Sequence, residues 1–221
     1  MTDSREKMLS ALRQAQAAGR RECAEAASGY QPDPHPEQAG SAETLDRFRL
    51  MLEKVGGEAV ILAGDAEVAA HLGALLQSAA TSTVLLPPDP ELERLEVARL
   101  IREAGAAALN PQGATVDVAA QADMGITTAQ AGIADTGTVA LWHTAERGRW
   151  AALLPPCHVI LLRRDRVYPD KLSWLEAMRR EGVDLGAVPL TWVTGPSLTA
   201  DIEKVLVRGA HGPRRVVALV Y

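Results

Sequence analysis

Apolar residues near the N-terminus recur at helical spacing. Met8, Leu12 and Ala15 form one stripe reaching about Ala18, behind Asp3 and Glu6 spaced as a capping box. The pattern then breaks. Gly29–Gly40 carries three prolines and few apolar side chains, which predicts a loop or linker with His35 as an exposed loop histidine. Helical spacing returns from Ser41 to about Val55, with Leu45, Phe48 and Leu52 on one face and Gly56-Gly57 as the stop. Strand and helix then alternate. Ala59–Ala63 reads as a strand, and Asp65 caps a helix that buries Val68, Leu72 and Leu75. Thr83–Leu86 is the next strand, and Asp89-Pro90 opens a helix over Glu91–Ala104 that Gly105 closes.

This rhythm predicts a mainly parallel sheet with helices packed on both faces. Asn110–Gln121 reads as irregular, and Thr128–Ala134 as one or two helical turns. Gly137–His143 and His158–Arg163 read as strands, expected as antiparallel neighbours because Thr144–Pro156 holds no clear helix. Asp170–Glu181 is a helix, and Leu190–Val193 and Val216–Val220 are strands. The expected fold is a three-layer α/β/α domain with a mixed, mainly parallel sheet over residues 41–221. A helical extension and Pro-rich linker, residues 1–40, precede it.

Composition narrows the function classes. At 221 residues the chain can bury a full core; aromatics are only 4%, so many small Ala, Leu and Val contacts must build it. The net charge of −5 is scattered and no basic stripe announces nucleic acid. Cys23 and Cys157 form no CxxC pair and cannot supply a four-cysteine cluster; the absence of a disulfide framework predicts a cytoplasmic setting. The opening MTDSREKMLSALRQAQ lacks the apolar core of a signal peptide, and no segment reaches the length of a membrane span. There is no GxGxxG turn for a nicotinamide cofactor.

The richest stretch is GPSLTADIEKVLVRGAHGPR, Gly195 to Arg214, set between two apolar strands. A strand entering a Gly-rich turn and a helix start presents backbone N–H groups to anions, so a ligand site near the C-terminal end of the sheet is expected. Gly195 permits the turn, and Ser197 or Thr199 caps the following helix or adds a hydroxyl beside a bound carboxylate or phosphate. Arg214 is an anion partner or a surface residue, with Arg215 beside it; His211 sits in the same turn as a weak catalytic candidate or a structural hydrogen bonder.

Asp135, Thr136, Gly137 and Thr138 form a second turn, in which Asp135 either acts chemically or orders its own backbone, and Thr136–Thr138 is expected to bind the anion in one cleft with the turns at Gly195–Thr199 and His211–Arg214. Thr127 and Thr128 read as a helix cap or as ligand hydroxyls. Arg147-Gly148-Arg149 reads as a solvated loop or a flap carrying positive charge. Cys157 and His158 are adjacent on a strand and point to opposite faces, which argues for packing rather than a thiolate–imidazole couple. No histidine has a second ligand at metal spacing, so no metal site is expected.

Three stretches, DMGITTAQAGIADTGTVAL (Asp123–Leu141), LLPPCHVILL (Leu153–Leu162) and the closing Gly195–Arg214 segment, together resemble the lactate-utilisation protein C family, whose core is the LUD domain. The resemblance covers roughly Ser41 to Tyr221 and is most specific in the closing segment. It implies a fold similar to ribose-5-phosphate isomerases, sugar-phosphate deaminases and CoA transferases. It also implies a place, with two iron–sulfur partner proteins, in oxidising L-lactate to pyruvate. Some CoA transferases use a carboxylate nucleophile; where the family often shows Glu this chain has Asp135. The expected role is to bind a small anionic substrate, a hydroxyacid or phosphate-bearing molecule, or the redox partners. No cofactor is expected in this chain, the iron–sulfur clusters lying in the partners. The alternatives are a stand-alone isomerase or transferase acting on a phosphorylated or CoA-linked molecule, and a non-catalytic interaction module.

Overall fold

The computed structural model describes residues 4–16, 38–144, 146–186, 189–199 and 207–221. Two compact units separate at Pro34/His35. The first contains helix α1, residues 4–16, where the Met8–Leu12 stripe predicted one. Asp3, His35 and the linker up to residue 37 lie outside the described residues.

In the second unit, α2 (Ala42–Lys54) starts where the Ser41 side chain accepts the Thr44 N–H and buries Leu45, Phe48 and Leu52. Six strands follow in one wholly parallel sheet: β1 (Glu58–Ile61), β2 (Thr83–Leu85), β3 (Ala107–Leu109), β4 (Met124–Thr128), β7 (Cys157–Leu162) and β12 (Arg215–Val220), in the order β1-β12-β7-β4-β2-β3. The neighbouring strands β7 and β12 carry the apolar runs Val159–Leu162 and Val216–Val220 because both faces are covered. On one face lie α3 (Asp65–Ser78), α4 (Pro90–Arg94) and α5 (Val97–Glu103), with Val68, Leu72, Leu76 and Ile101 packed on Val159, Leu161, Val217 and Leu219. On the other, α2 packs Leu45, Phe48 and Leu52 against Ile160, Leu162, Val216 and Ala218.

The fold is the expected mainly parallel α/β architecture, but the antiparallel pairs are segregated. β5 (Ala131–Ile133), β6 (Thr138–Trp142), β8 (Val167–Tyr168) and β9 (Leu190–Val193) form a second sheet, ordered β8-β5-β6-β9. Its outer face is covered by α8 (Lys171–Arg180), through Trp174 and Met178 on Ala131, Ile133 and Ala140. The expectation that β6 and β7 are antiparallel neighbours is therefore wrong. β7 pairs in parallel with β4 and β12, and β6 pairs with β5 and β9. Thr128–Ala134 is not helical: β4 ends there and β5 begins, because Ala131 and Ile133 fill the second sheet's buried face.

Smaller differences have local causes. The predicted Glu91–Ala104 helix is broken at Glu96, whose left-handed φ of 51° separates α4 from α5. Asp65 is the first helical residue rather than the cap; Gly64 occupies that position without a side-chain bond. Asn110–Gln121 is ordered by two caps, Asn110 over a 3-10 turn and Thr115 over α6 (Val116–Ala120). The Thr144–Pro156 link holds the short α7 (Trp150–Leu153).

Candidate functional site

The turns singled out by sequence come together, at the N-terminal edge of the parallel sheet. Thr138 Oγ1 lies 2.8 Å from both Thr136 Oγ1 and Thr194 Oγ1. Gly137, at φ +62°, packs against the backbone of Met51 and Leu52, and Gly195, at φ +77°, against Val55. The Ser197 N–H donates to Pro213 O at 2.9 Å, and the Arg214 N–H to Pro156 O at 2.8 Å. Leu198–Thr199 forms a short strand, β10, paired antiparallel with β11 (Val207–Arg208), and the stretch after Thr199 in which Ser197 or Thr199 was expected to cap a helix lies outside the described residues. Asp201, Glu203 and Lys204 lie outside the described residues. His211 and Arg214 are exposed, and Arg215 is held by a bidentate pair with Glu58 at 2.7 Å. Asp135 donates its N–H to Pro169 O; its buried Oδ1 has no partner among the described residues.

This cluster precedes β12 and β7. The expectation of a ligand site at the C-terminal end of the sheet, built from the closing segment, is corrected in its placement: Gly195–Arg214 borders the opposite edge. The reason is connectivity. A turn that feeds a strand of a parallel sheet lies at its N-terminal edge, whereas ligand crevices form outside the carboxyl ends.

The carboxyl ends of β4, β7 and β12 do border a cleft, of about 330 Å³, lined by Asp89, Thr128, Gln130, Trp142, Arg147, Arg163, Arg166 and Tyr221 among others. Asp89 anchors it. Pro90 fixes the start of α4, and Asp89 Oδ1 accepts the Glu91 N–H at 2.8 Å as its cap. Oδ2 accepts from Thr128 Oγ1 at 2.7 Å and from Arg147 Nη1 at 2.8 Å. Arg147 is delivered by a turn in which Thr144 Oγ1 accepts the N–H groups of Glu146 and Arg147. Across the cleft Tyr221 donates to Glu91 at 2.7 Å; burial and that carboxylate raise its phenol well above the ordinary range. Arg163 pairs with Asp165 and Arg166 with Glu181.

Beneath this edge are two histidines with different surroundings. His158 Nε2 is 2.8 Å from Thr127 Oγ1, and its Nδ1 is buried without a partner among the described residues. Complete burial, with His143 adding a smaller effect, holds its pKa down to about 3, so the ring is neutral. His143 bonds Thr191 Oγ1 at 2.8 Å, and burial lowers its pKa as well. The Cys157 thiol is pushed up by burial and faces the other core, so the opposite-face reading of Cys157 and His158 holds. Among the described residues no group of three or more His, Cys, Asp or Glu side chains could hold a metal ion. No helix among them is long and apolar enough to cross a membrane.

The sequence points to Thr128, Asp89 and Arg147 separately, Thr128 as a cap or ligand hydroxyl, Asp89 as a cap, and Arg147 as part of a solvated loop or a flap carrying positive charge. Gln130, Trp142, Arg163, Arg166 and Tyr221 were missed. Gln130, Trp142, Arg163 and Tyr221 share only a position at or just after the end of a strand, and Arg166 closes the 3-10 turn before β8; neither signal is visible until strand order is known.

The chain can now be compared with known proteins. It is 32% identical over 164 residues to YkgG of Escherichia coli, covering 72% of this chain and 71% of that one. A lactate utilization protein C from Deinococcus radiodurans is 40% identical over 104 residues, 45% of this chain and about half, 47%, of the relative. A lactate utilization protein C from Geobacillus thermodenitrificans is 31% identical over 164 residues, 67% of each chain. The crystal structure of a DUF162 family protein from Deinococcus radiodurans superposes with a TM-score of 0.58 at 26% identity, covering 81% of this chain and 96% of the other. The LUD domain matches residues 45–221, from within α2 through all three sheets to the last residue, and the chain belongs to the LUD domain family.

Proposed function

We propose that this chain is a component of a lactate-utilisation system that binds a small hydroxyacid in the cleft at the carboxyl ends of β4, β7 and β12. Electrons leave the substrate through iron–sulfur partner proteins rather than through a cluster held here. The names of its relatives support the pathway. The observation that carries the substrate reading is the Asp89–Arg147–Thr128 arrangement. A buried carboxylate orients a guanidinium at the cleft wall and, among the described residues, engages it through Nη1 alone. The remaining N–H donors can meet a carboxylate, with the Thr128 and Gln130 side chains beside it for a hydroxyl.

The cleft volume favours a second reading. About 330 Å³ lies at the lower end of sites that enclose drug-sized ligands, with room beyond a three-carbon acid. A stand-alone isomerase or transferase acting on a phosphorylated or CoA-linked molecule is therefore the alternative. Calorimetric titration with L-lactate, a pentose phosphate and CoA, followed by lactate oxidation assays with and without purified iron–sulfur partners, separates the two. Saturable L-lactate binding lost in Arg147→Ala, with turnover only when partners are added, is the expected result. Turnover of a phosphate or CoA substrate by the isolated chain would replace the first reading with the second.

A further inference from the structure

Trp192 stands on β9, the end strand of the second sheet, facing the side that α8 covers. The helix reaches it incompletely. Trp174 meets the Trp192 ring edge-on at 5.2 Å, and the Lys171 ammonium sits 4.8 Å over its face. The indole is nevertheless 37% exposed, beside Leu172 at 39% and Leu175 at 42% on the outer face of α8. Leu172, Leu175 and Arg179 follow one another at helical spacing, so one strip of surface carries two leucines and a cation. Arg180 lies next to it, paired with Glu176 at 3.0 Å, and Arg179 has no carboxylate partner among the described residues. The strip is thus apolar and flanked by a helix surface that carries Lys171, Arg179 and Arg180 against the single carboxylate of Glu176, on a chain whose net charge is −5. Scattered exposed leucines need no explanation, but an apolar cluster with a polar rim is the anatomy of a protein interface, and here the rim is positive on balance.

We propose that this surface, Lys171, Leu172, Leu175, Arg179 and Trp192, docks an acidic protein partner, which lays an extended segment with alternating acidic and apolar side chains along β9. Three features select that occupant. The rim charge is complementary to it and repels a basic one. Among the described residues β9 pairs only with β6, leaving a strand edge whose backbone groups another extended polypeptide can pair with. Three cations fall short of the roughly four to eight that hold a polybasic surface on anionic lipid. A second copy of the chain would have to offer a matching acidic apolar face, because this patch opposes its own charge.

The test uses the full chain and a short labelled peptide alternating glutamate and valine, with a lysine and valine peptide as control. Fluorescence anisotropy at low ionic strength should show the acidic peptide binding and the basic one not. Lys171→Glu combined with Arg179→Glu should weaken binding at least about tenfold and reduce its salt dependence. Trp192→Ala should weaken it by about tenfold or more, as loss of an aromatic anchor does. The charge-reversed sites are exposed, so thermal unfolding of that variant should match the parent; this keeps the test valid should Trp192→Ala disturb packing on Trp174. Equal binding of both peptides, no binding of either, or affinity unchanged in the charge-reversed variant overturns the proposal. So does a dimer that this variant abolishes, or attachment to phosphatidylserine vesicles in place of the acidic peptide.

Discussion

Arg147 donates to Asp89 across 2.8 Å, and the carboxylate that receives it is only 4% exposed. That one carboxylate caps α4, ties in Thr128 from the end of β4 and fixes the loop that follows β6, so three elements distant in sequence meet on it.

Removing the two partners should have unequal effects. Asp89→Ala loses a helix cap, at about 1 kcal/mol, and the charged acceptor for Thr128 and Arg147, at about 1.5–3 kcal/mol. Arg147→Ala leaves Asp89 with its cap and Thr128 bonds, so its cost should be about 1 kcal/mol. Urea unfolding at neutral pH measures both. Equal midpoints for the two variants would show that Asp89 does not organise this edge.

Ligand affinity should distinguish the two edges of the sheet. Arg147→Ala should lower affinity for L-lactate roughly tenfold to a hundredfold, the loss of a charge-assisted hydrogen bond of about 1.5–3 kcal/mol. Arg214→Ala, at the opposite edge, should leave it unchanged although it removes the same charge. Titration of both variants decides; a larger loss for Arg214→Ala would return the ligand site to the Gly195–Arg214 turns.

His158 should make the protein acid-sensitive above the carboxylate range. Its folded pKa of about 3 lies below the ordinary 6.5, so the unfolded chain binds a proton first. Stability is full above pH 6.5 and falls as the pH drops from there toward 3, with a limiting slope of about 1.4 kcal/mol per pH unit. Burial lowers His143 in the same direction. Between pH 6.5 and 5 the lowered carboxylates, Glu58 and Asp165 among them, stay ionised. His158→Gln should therefore flatten chemical-denaturation stability in that interval. An unchanged slope would mean the imidazole is protonated in the folded state.

Two left-handed glycines should differ sharply when replaced. Gly105, at φ +82°, has open space around a new Cβ, so Gly105→Ala carries backbone strain alone, about 1–2 kcal/mol. Gly137, at φ +62°, would drive its Cβ into the backbone of Met51 and Leu52. Gly137→Ala should exceed Gly105→Ala by several kcal/mol or prevent folding. Similar thermal midpoints would show that α2 can move away.

Cys157 should be chemically quiet. Burial raises its thiol pKa, so at neutral pH little thiolate exists to attack an alkylating reagent. In a Cys23→Ser background, iodoacetamide should label the native protein slowly and the urea-unfolded protein at the rate of an ordinary thiol. Rapid labelling of the native state would place Cys157 in an accessible setting.

Periodicity alone determined the elements whose burial is local in origin. α2 follows from Ser41 and the Leu45–Phe48–Leu52 spacing, α8 falls within the helix read over Asp170–Glu181, and β7 and β12 fall where His158–Arg163 and Val216–Val220 read as strands. The family resemblance rests on such segments too, because motif order survives without knowledge of their neighbours. Tertiary structure decided the rest. Ala131–Ile133 is a strand only because Phe48 and Leu162 meet Gly132 on one side, while α8 closes over Ala131 and Ile133 on the other. The candidate cleft was illegible for the same reason. Asp89, Thr128, Arg147 and Tyr221 share no local pattern; the first, second and fourth converge because the carboxyl ends of β2, β4 and β12 fall on one edge of the parallel sheet, and the loop after β6 brings Arg147 to it. Sequence spacing records which face of an element is buried; which edge a turn occupies is set by strand order, a sum of long-range contacts that no window of residues contains.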